Sequence, residues 1–193
     1  MLTMKDIIIE GNELLRKKCD LVELPMSDED KNTMEEMIDY IFNSIDEEIA
    51  KKYDLHPAVG IAAPQIGVNK KMLVIYSFDE QGNEHFYPMV NPKLISYSDE
   101  LTYLDSGEGC LSVRRQAKGY IHRSKRVTVD TYLYYQGKLK KATIRLKGYL
   151  AIIFQHEYDH LNGVLFVDHI NQENPFYIPS NSTPVVFKSS EEE

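Results

Sequence analysis

Gln155-His156-Glu157-Tyr158-Asp159-His160 carries the chemistry around which the rest of the chain can be placed. The two histidines are four residues apart, so on a helix their imidazoles project from one face and can chelate a single divalent ion. Glu157 lies next to the first histidine, where a carboxylate can take a proton from a water activated by the metal without filling a coordination position. The hexapeptide therefore predicts a helix that holds a metal ion and a general base.

The residues before and after the hexapeptide extend this predicted helix. Residues 147–154 run into it without a helix breaker, and Gly163 follows where a glycine is suited to a helix C-cap. Three residues precede His156 at helical spacing, share its face and predict an apolar wall beside the ion: Tyr149, Ile152 and Ile153. The alternative, a buried helix with two core histidines, would bury several polar side chains without a partner.

Composition bounds the class of protein. With 193 residues, 42% of them hydrophobic and 27% charged, the chain predicts one globular domain. Neither a membrane-spanning stretch nor a signal-peptide pattern is present, which predicts a cytoplasmic protein. The net charge of −8 disfavours autonomous binding to nucleic acid or to an anionic membrane. The two cysteines, Cys19 and Cys110, are expected to be free thiols, or one of them a ligand.

Hydrophobic periodicity predicts an α+β fold. Ser27 is a good N-cap for a long N-terminal amphipathic helix that ends near Tyr53, after a short strand at 7–9. Period-2 patterning follows, with Gln136-Gly137 as a hairpin turn. The predicted strands are 72–76, 86–90, 93–97, 127–135 and 142–146. We therefore expect antiparallel β-sheets packed around the central metal-binding helix.

Two further segments contain residues suited to a catalytic site. In 57–67, small residues flanked by Gly60 and Gly67 let the backbone approach a ligand closely, and the Gln65 amide has no obvious structural role. In 107–112, glycines flank Glu108, two residues before Cys110. A Cys110 thiolate would complete a Cys-His-His set and leave a fourth tetrahedral position open, as catalytic sites require.

Three segments together resemble the signature motifs of the peptide deformylases in order and spacing. They are 58–65 (AVGIAAPQ), 108–112 (EGCLS) and 155–160 (QHEYDH), and the continuation to Val113 is similar to the Gram-positive, type 2 members. The resemblance extends from the N-terminus to Asp168. It implies a metal-dependent hydrolase that removes the formyl group from the initiator formylmethionine of nascent polypeptides and releases formate.

Carried over to this chain, the resemblance implies a role for each site residue. Cys110, His156 and His160 would bind the metal, and Glu157 would act as the acid and base. Gln65 and the backbone N–H of Leu111 would stabilise the oxyanion. The implied ion is Fe²⁺, with Zn²⁺, Ni²⁺ and Co²⁺ as alternatives that suit the same ligands.

Substrate-binding residues are expected on both sides of the ion. Tyr149, Ile152 and Ile153 predict the pocket for the methionine side chain. The resemblance implies that the peptide backbone pairs near Val59 and Gly60 and with a strand after Glu108 and Gly109. Buried Glu108 needs a cation, for which the family pattern suggests Arg123, and Asp159 is expected to support a ligating histidine. Ala58 stands where the family usually has glycine.

The remaining expectations concern the ends of the chain and its partners. We expect a catalytic domain over 1–170 and a polar extension or tail over 171–193, with a monomer as the default state. Formylmethionyl peptides and nascent chains are the expected partners. A transient ribosome contact is left open, although RNA would repel the acidic C-terminus.

The sequence leaves two alternatives open. A generic metallopeptidase also uses His-Glu-x-x-His, but this alternative explains neither Cys110 nor the segment around Gln65. An inactive formyl-peptide binding protein would be expected to lack a ligand or the base, and this chain has both.

Overall fold

The computed structural model describes residues 1–188, and the last five residues of the predicted extension, Ser189 to Glu193, lie outside it. The α-helices are α1 (Asp28–Ile45), α2 (Glu47–Tyr53) and α3 (Gly148–His160). Short 3-10 helices span Glu13–Arg16, Ala63–Ile66 and Phe166–His169. The strands are β1 (Gly60–Ala62), β2 (Met72–Phe78), β3 (Glu84–Tyr97), β4 (Leu101–Tyr103), β5 (Arg123–Ser124), β6 (Arg126–Tyr135), β7 (Lys138–Lys147) and β8 (Ser182–Pro184).

A five-stranded antiparallel sheet separates α1 from α3. Its strand order is β1-β2-β3-β6-β7. Strand β2 is an interior strand and is hydrophobic on both faces. Its side chains alternate, so that Met72 and Val74 belong to the core with α1 while Leu73 and Ile75 belong to the core with α3. The α+β class and the antiparallel main sheet are confirmed.

A second, smaller sheet has the order β5-β4-β8. It differs from the prediction because β8 runs parallel to β4, and β8 lies in the segment 171–193 that we expected to be a polar extension. A sequence pattern indicates where a strand lies but does not identify its partner, and β8 is short and interrupted by proline.

The helix expected to run continuously to Tyr53 is divided at Asp46. This residue ends α1 and caps α2, with its side chain accepting a hydrogen bond from the Ile49 N–H at 2.9 Å. Asp46 has extended backbone angles, φ −78° and ψ 114°, which interrupt the helix. An aspartate satisfies the N-terminal amides of a new helix more readily than it continues an old one.

Two other strand predictions need correction. Residues 7–9 form no regular strand among the described residues, because the Ile8 N–H donates to the Gln65 carbonyl and the Glu10 N–H to the Ser112 carbonyl. The predicted strands 86–90 and 93–97 are one strand, β3, with a change of register around Asn91. Asn91 has a positive φ of 52°, a conformation that asparagine tolerates.

Helix α3 packs against the face of the main sheet opposite α1. Leu150, Ala151, Ile153 and Phe154 are buried on it, and the Glu80 carboxylate accepts the Tyr149 N–H at 3.0 Å at its first turn. The chain leaves the helix after His160, and Gly163 takes a left-handed φ of 74°. None of the helices within residues 1–188 has the length and apolar composition of a membrane span.

Candidate metal centre

Three predicted ligands converge between α3 and the segment that follows β4. One ligand atom each from Cys110, His156 and His160 lies within 4.8 Å of the others. The Cys110 Sγ is 3.3 Å from the His160 Nε2. Both imidazoles are buried and the cysteine is partly exposed, so the set is open on the cysteine side.

The chemistry of these donors fits a divalent transition-metal ion. One sulfur and two imidazole nitrogens provide three ligands, and the open side leaves room for a water or a substrate oxygen. Next to them, the Glu157 Oε2 is buried and has no hydrogen-bond partner among the described residues. A buried carboxylate oxygen without a partner is costly in a site that serves only packing.

A buried ion pair holds His156 in place. The Arg123 guanidinium donates two hydrogen bonds to the Glu108 carboxylate, at 2.5 and 2.9 Å. The Glu108 Oε2, which accepts one of these two bonds, also accepts the His156 Nδ1–H at 2.8 Å, and this leaves the His156 Nε2 for a metal. Both Arg123 and Glu108 have side chains only 4% exposed. The sequence-based pairing of these two residues is therefore observed as a contact.

The ion pair extends outward through two more residues. Asp159 accepts a hydrogen bond from the Arg123 Nη1 at 2.9 Å and lies 2.8 Å from the His169 Nε2. Asp159 thus supports the predicted ligand His156 through Arg123 and Glu108 rather than by direct contact. The sequence gives no signal for the contact of His169, since no local spacing relates this residue to Asp159.

Glu157 lies against the first residue of β1. A Cβ built on Gly60 would be 2.5 Å from the Glu157 Oε1, so only glycine allows this approach. The structure therefore gives Gly60 a physical role that its sequence context indicated only loosely.

The Gln65 amide is oriented by its own loop. Its Oε1 accepts the Ala62 N–H at 2.8 Å, so the NH₂ group must point the other way. The Nε2 lies 3.3 Å from the Ser112 Oγ and 3.5 Å from the Cys110 Sγ. A side-chain donor is thus prepositioned beside the predicted ligands, with Ser112 as a contact that the sequence did not reveal.

Burial and charge set the protonation of the site. Burial raises the pKa of Glu157 to about 7. Burial also opposes ionisation of Glu108, but Arg123 and His156 outweigh it and lower the pKa of Glu108 to about 2. For His160, burial lowers the pKa well below its usual value and favours the neutral imidazole that metal ligation requires.

A cleft of about 700 Å³ opens above these residues. Its lining includes two predicted ligands, Cys110 and His156, and the predicted base, Glu157. Gln65 and Leu111 line it as well. All the predicted substrate-binding residues also line it: Val59, Gly60, Glu108, Gly109, Tyr149, Ile152 and Ile153. Arg123 and Asp159 do not line it and lie behind the ligands. The cleft is large enough for a few residues of an extended peptide.

Two details of the predicted peptide-binding edge are now clear. Among the described residues, the segment after Glu108 forms no regular strand; it has an isolated bridge between Cys110 and Val113. On the opposite side, Ala58 lines the cleft, and it is not among the residues with positive φ. Alanine in place of the family's usual glycine therefore imposes no backbone strain here.

Comparison with known proteins gives consistent relatives. The polypeptide deformylase family matches residues 4–176. Peptide deformylase 2 of Bacillus anthracis is 52% identical over 185 residues, covering 96% of this chain and 99% of the relative. Peptide deformylase of Listeria monocytogenes serotype 4b is 50% identical over 179 residues, covering 93% and 96%.

Solved structures are similar to this chain over most of its length. The peptide deformylase of Thermotoga maritima has a TM-score of 0.64 and 33% identity, covering 86% of this chain and 97% of that one. A Met-Ala-Ser-bound peptide deformylase of Acinetobacter baumannii has a TM-score of 0.66 and 26% identity, covering 85% and 96%.

Proposed function

Because the chain belongs to the polypeptide deformylase family, we propose that the cleft above α3 is where it carries out the family's reaction. The chain is an enzyme that hydrolyses the formyl amide of an N-terminal formylmethionine in nascent peptides and releases formate. We favour this function over the two alternatives raised by the sequence, a generic metallopeptidase and an inactive binding protein.

Cys110, His156 and His160 hold one divalent ion. The observation that carries this assignment is the convergence of their ligand atoms within 4.8 Å of one another, next to the buried Glu157. When bound, the ion would act as a Lewis acid that lowers the pKa of a water and polarises the formyl carbonyl. Fe²⁺ is our proposal for the physiological ion, and Zn²⁺, Ni²⁺ and Co²⁺ suit the same donors.

Glu157 transfers the protons of the reaction. Its Oε2 is free of partners among the described residues and lies in the same cleft as the ligands. It takes a proton from the attacking water and returns one to the leaving amine. A carboxyl with a pKa of about 7 can perform both steps near neutral pH.

Gln65 and Leu111 stabilise the charge that develops on the formyl oxygen. The Gln65 NH₂ group is fixed by the contact between its Oε1 and the Ala62 N–H. Leu111 follows the ligand Cys110 directly and lines the cleft. Donors held in place before the reaction stabilise a transition state without reorganisation.

Substrate specificity comes from both walls of the cleft. Tyr149, Ile152 and Ile153 contact the unbranched methionine side chain. Val59 and Gly60 on one side, and Glu108 and Gly109 on the other, bind the peptide backbone. Main-chain contacts tolerate many later residues, which suits a substrate class of many nascent chains.

The setting of the reaction is also a proposal. We place the enzyme in the cytoplasm as a monomer, without a membrane or a specific nucleic acid as partner. A brief ribosome contact is consistent with a nascent-chain substrate, and the catalytic domain of 1–170 with its extension of 171–193 remains a prediction.

The test is formate release from formyl-Met-Ala-Ser by anaerobically purified enzyme whose metal content is measured. We expect Glu157→Ala to keep its metal and to lose about 10²-fold or more in kcat, since it lacks the proton-transfer group. Tyr158→Phe, the next residue on α3, is the control and should retain activity. Normal turnover in Glu157→Ala would contradict the assigned mechanism, and cleavage of unformylated Met-Ala-Ser would indicate a peptidase.

A further inference from the structure

Six apolar side chains form a strip on the surface that begins at the mouth of the cleft. We call them the aromatic strip: Phe42, Ile45, Val59, Tyr76, Phe78 and Phe86. Phe42, Ile45 and Val59 are 39–45% exposed, and Phe78 is 51% exposed. Contiguous exposed apolar side chains on a soluble protein indicate a binding surface more often than isolated ones do.

The rings of the strip contact one another and are held in place. Phe42 lies 4.9 Å from Tyr76 and 5.5 Å from Phe86 between ring centroids. Tyr76 is 6.1 Å from Phe78, and its hydroxyl donates to the Glu84 carboxylate at 2.6 Å. A fixed aromatic surface loses little conformational freedom when a ligand binds to it.

The strip is continuous with the cleft. Ile45 and Val59 line the cleft itself. The Val59 carbonyl accepts the Tyr76 N–H at 2.9 Å, which places these two residues side by side. Phe42 precedes Ile45 by three residues on α1, so the two are neighbours on the helix surface.

The walls of the cleft also indicate the direction in which a bound peptide leaves it. Gly60 lies over Glu157. C-terminal to Gly60 the chain is buried, as Ala62 and Gln65 show. In the other direction, residues 56–59 and Ile45 line the open cleft. Because β1 is antiparallel to β2, moving from Gly60 towards residue 58 is moving along β2 towards Phe78.

From this direction we propose that the aromatic strip binds an apolar side chain at the fourth to sixth residues of the formylated nascent chain. The proposal rests on the function proposed above, with the formylmethionine beside Gly60 and Glu157. Phe86 lies two strands from β1, roughly 10 Å at about 4.8 Å per strand spacing. Three extended residues at about 3.3 Å each cover that distance, so the fourth residue is the first to reach it.

The nascent chain is the occupant because the strip leads away from the catalytic cleft. Main-chain pairing accounts for binding of the first residues irrespective of sequence, whereas the strip distinguishes chains by their later side chains. The enzyme therefore favours nascent chains with a large apolar residue soon after the initiator.

The experiment compares formyl-Met-Ala-Ser-Phe-Ala-Ala with formyl-Met-Ala-Ser-Ala-Ala-Ala on the metal-loaded enzyme. We expect kcat/KM to be about fivefold higher for the phenylalanine peptide, mainly through KM, since part of one aromatic ring is buried. In the double variant Phe42→Ser/Phe86→Ser the preference should disappear, while formyl-Met-Ala-Ser is turned over as by the wild type. The single variant Phe78→Ser, at the most exposed position, should weaken the preference if the double variant does not fold.

A matched control is available on the same strand. Ile95 and Tyr97 at the far end of β3 are 49% and 68% exposed, so Ile95→Ser/Tyr97→Ser removes a similar apolar surface and should keep the preference. Equal kcat/KM for the two hexapeptides in the wild type would overturn the proposal. A preference that persists in both strip variants would overturn it as well, as would a change in oligomeric state of the double variant without a change in preference. If the wild type does not turn over formyl-Met-Ala-Ser, the proposed function fails first.

Discussion

At the scale of single residues, the buried contact of Arg123 with Glu108 organises the site. It ties β5 to the segment that carries Cys110 and, through the His156 Nδ1–H, to α3. Three parts of the chain that are distant in sequence therefore depend on one cation. The effect of such a buried pair on stability is large mainly when one partner is removed, because the remaining charge is then buried without a counter-charge.

Arg123→Met should leave Glu108 buried without a cation. We expect a loss of about 3–5 kcal/mol in the free energy of unfolding, measured by urea denaturation of the metal-free protein. We also expect weaker metal retention, because His156 loses the orientation that Glu108 provides.

The control for Arg123 is a surface arginine with a carboxylate partner. Arg126 pairs with Glu100 in side chains 59% and 58% exposed, so Arg126→Met should cost about 1 kcal/mol or less. Similar losses for the two variants would contradict the view that burial makes the Arg123 pair important.

At the scale of elements, the exit of α3 is fixed by backbone contact. Gly163 has a φ of 74°, and a Cβ there would lie 2.5 Å from the Arg16 carbonyl oxygen. The turn after α3 therefore packs directly on the 3-10 helix Glu13–Arg16. Gly137 in the β6–β7 hairpin has nearly the same φ, 77°, but open space around it.

These two glycines separate backbone strain from steric clash. Gly137→Ala should cost about 1–2 kcal/mol, the strain of a left-handed residue with a side chain. Gly163→Ala should lower the free energy of unfolding clearly more, because its Cβ adds a steric clash with the Arg16 backbone to the same conformational strain. Thermal unfolding of both variants measures the difference, and equal losses would show that the contact with Arg16 relaxes at little cost.

At the scale of the whole molecule, the C-terminal segment completes the smaller sheet. The Thr102 Oγ1 donates to the Thr183 carbonyl at 2.9 Å, and the Val185 N–H donates to the Tyr103 carbonyl at 2.9 Å. The His122 Nδ1 lies 2.7 Å from the Ser182 Oγ. These contacts connect the C-terminal segment to β4 and to His122, the residue before β5. Because β5 begins with Arg123, they also bear on the position of that arginine.

Truncation after Phe176 removes these three hydrogen bonds together with others made by 177–188. At about 1 kcal/mol each, the three alone predict a loss of about 3 kcal/mol. This corresponds to roughly 6–12 °C in Tm for a chain of this size. Metal content should fall too, since β5 positions Arg123. Truncation after Lys188 removes only residues beyond the described part and is the control; if the longer truncation has the same Tm and metal content as this control, β8 does not support the site.

Local sequence determined much of this protein. The i, i+4 histidines with Glu157 indicated the helix that the structure places at 148–160, and period-2 patterns indicated β2, β3, β6 and β7 of the main sheet but not β1, because side-chain periodicity follows directly from backbone geometry. The left-handed turn at Gln136-Gly137 was predictable for the same reason: its conformation depends on only two residues. The resemblance of three short segments then indicated the family and the reaction.

Only the tertiary structure decided which distant groups meet. The contacts of Asp159 with His169 and of Gln65 with Ser112, and the parallel pairing of β8 with β4, leave no periodic signal. The aromatic strip likewise combines residues from α1, β2 and β3 with Val59, just before β1, and no sequence window contains them all. The physical reason is that long-range packing and burial, rather than local backbone preference, determine these contacts.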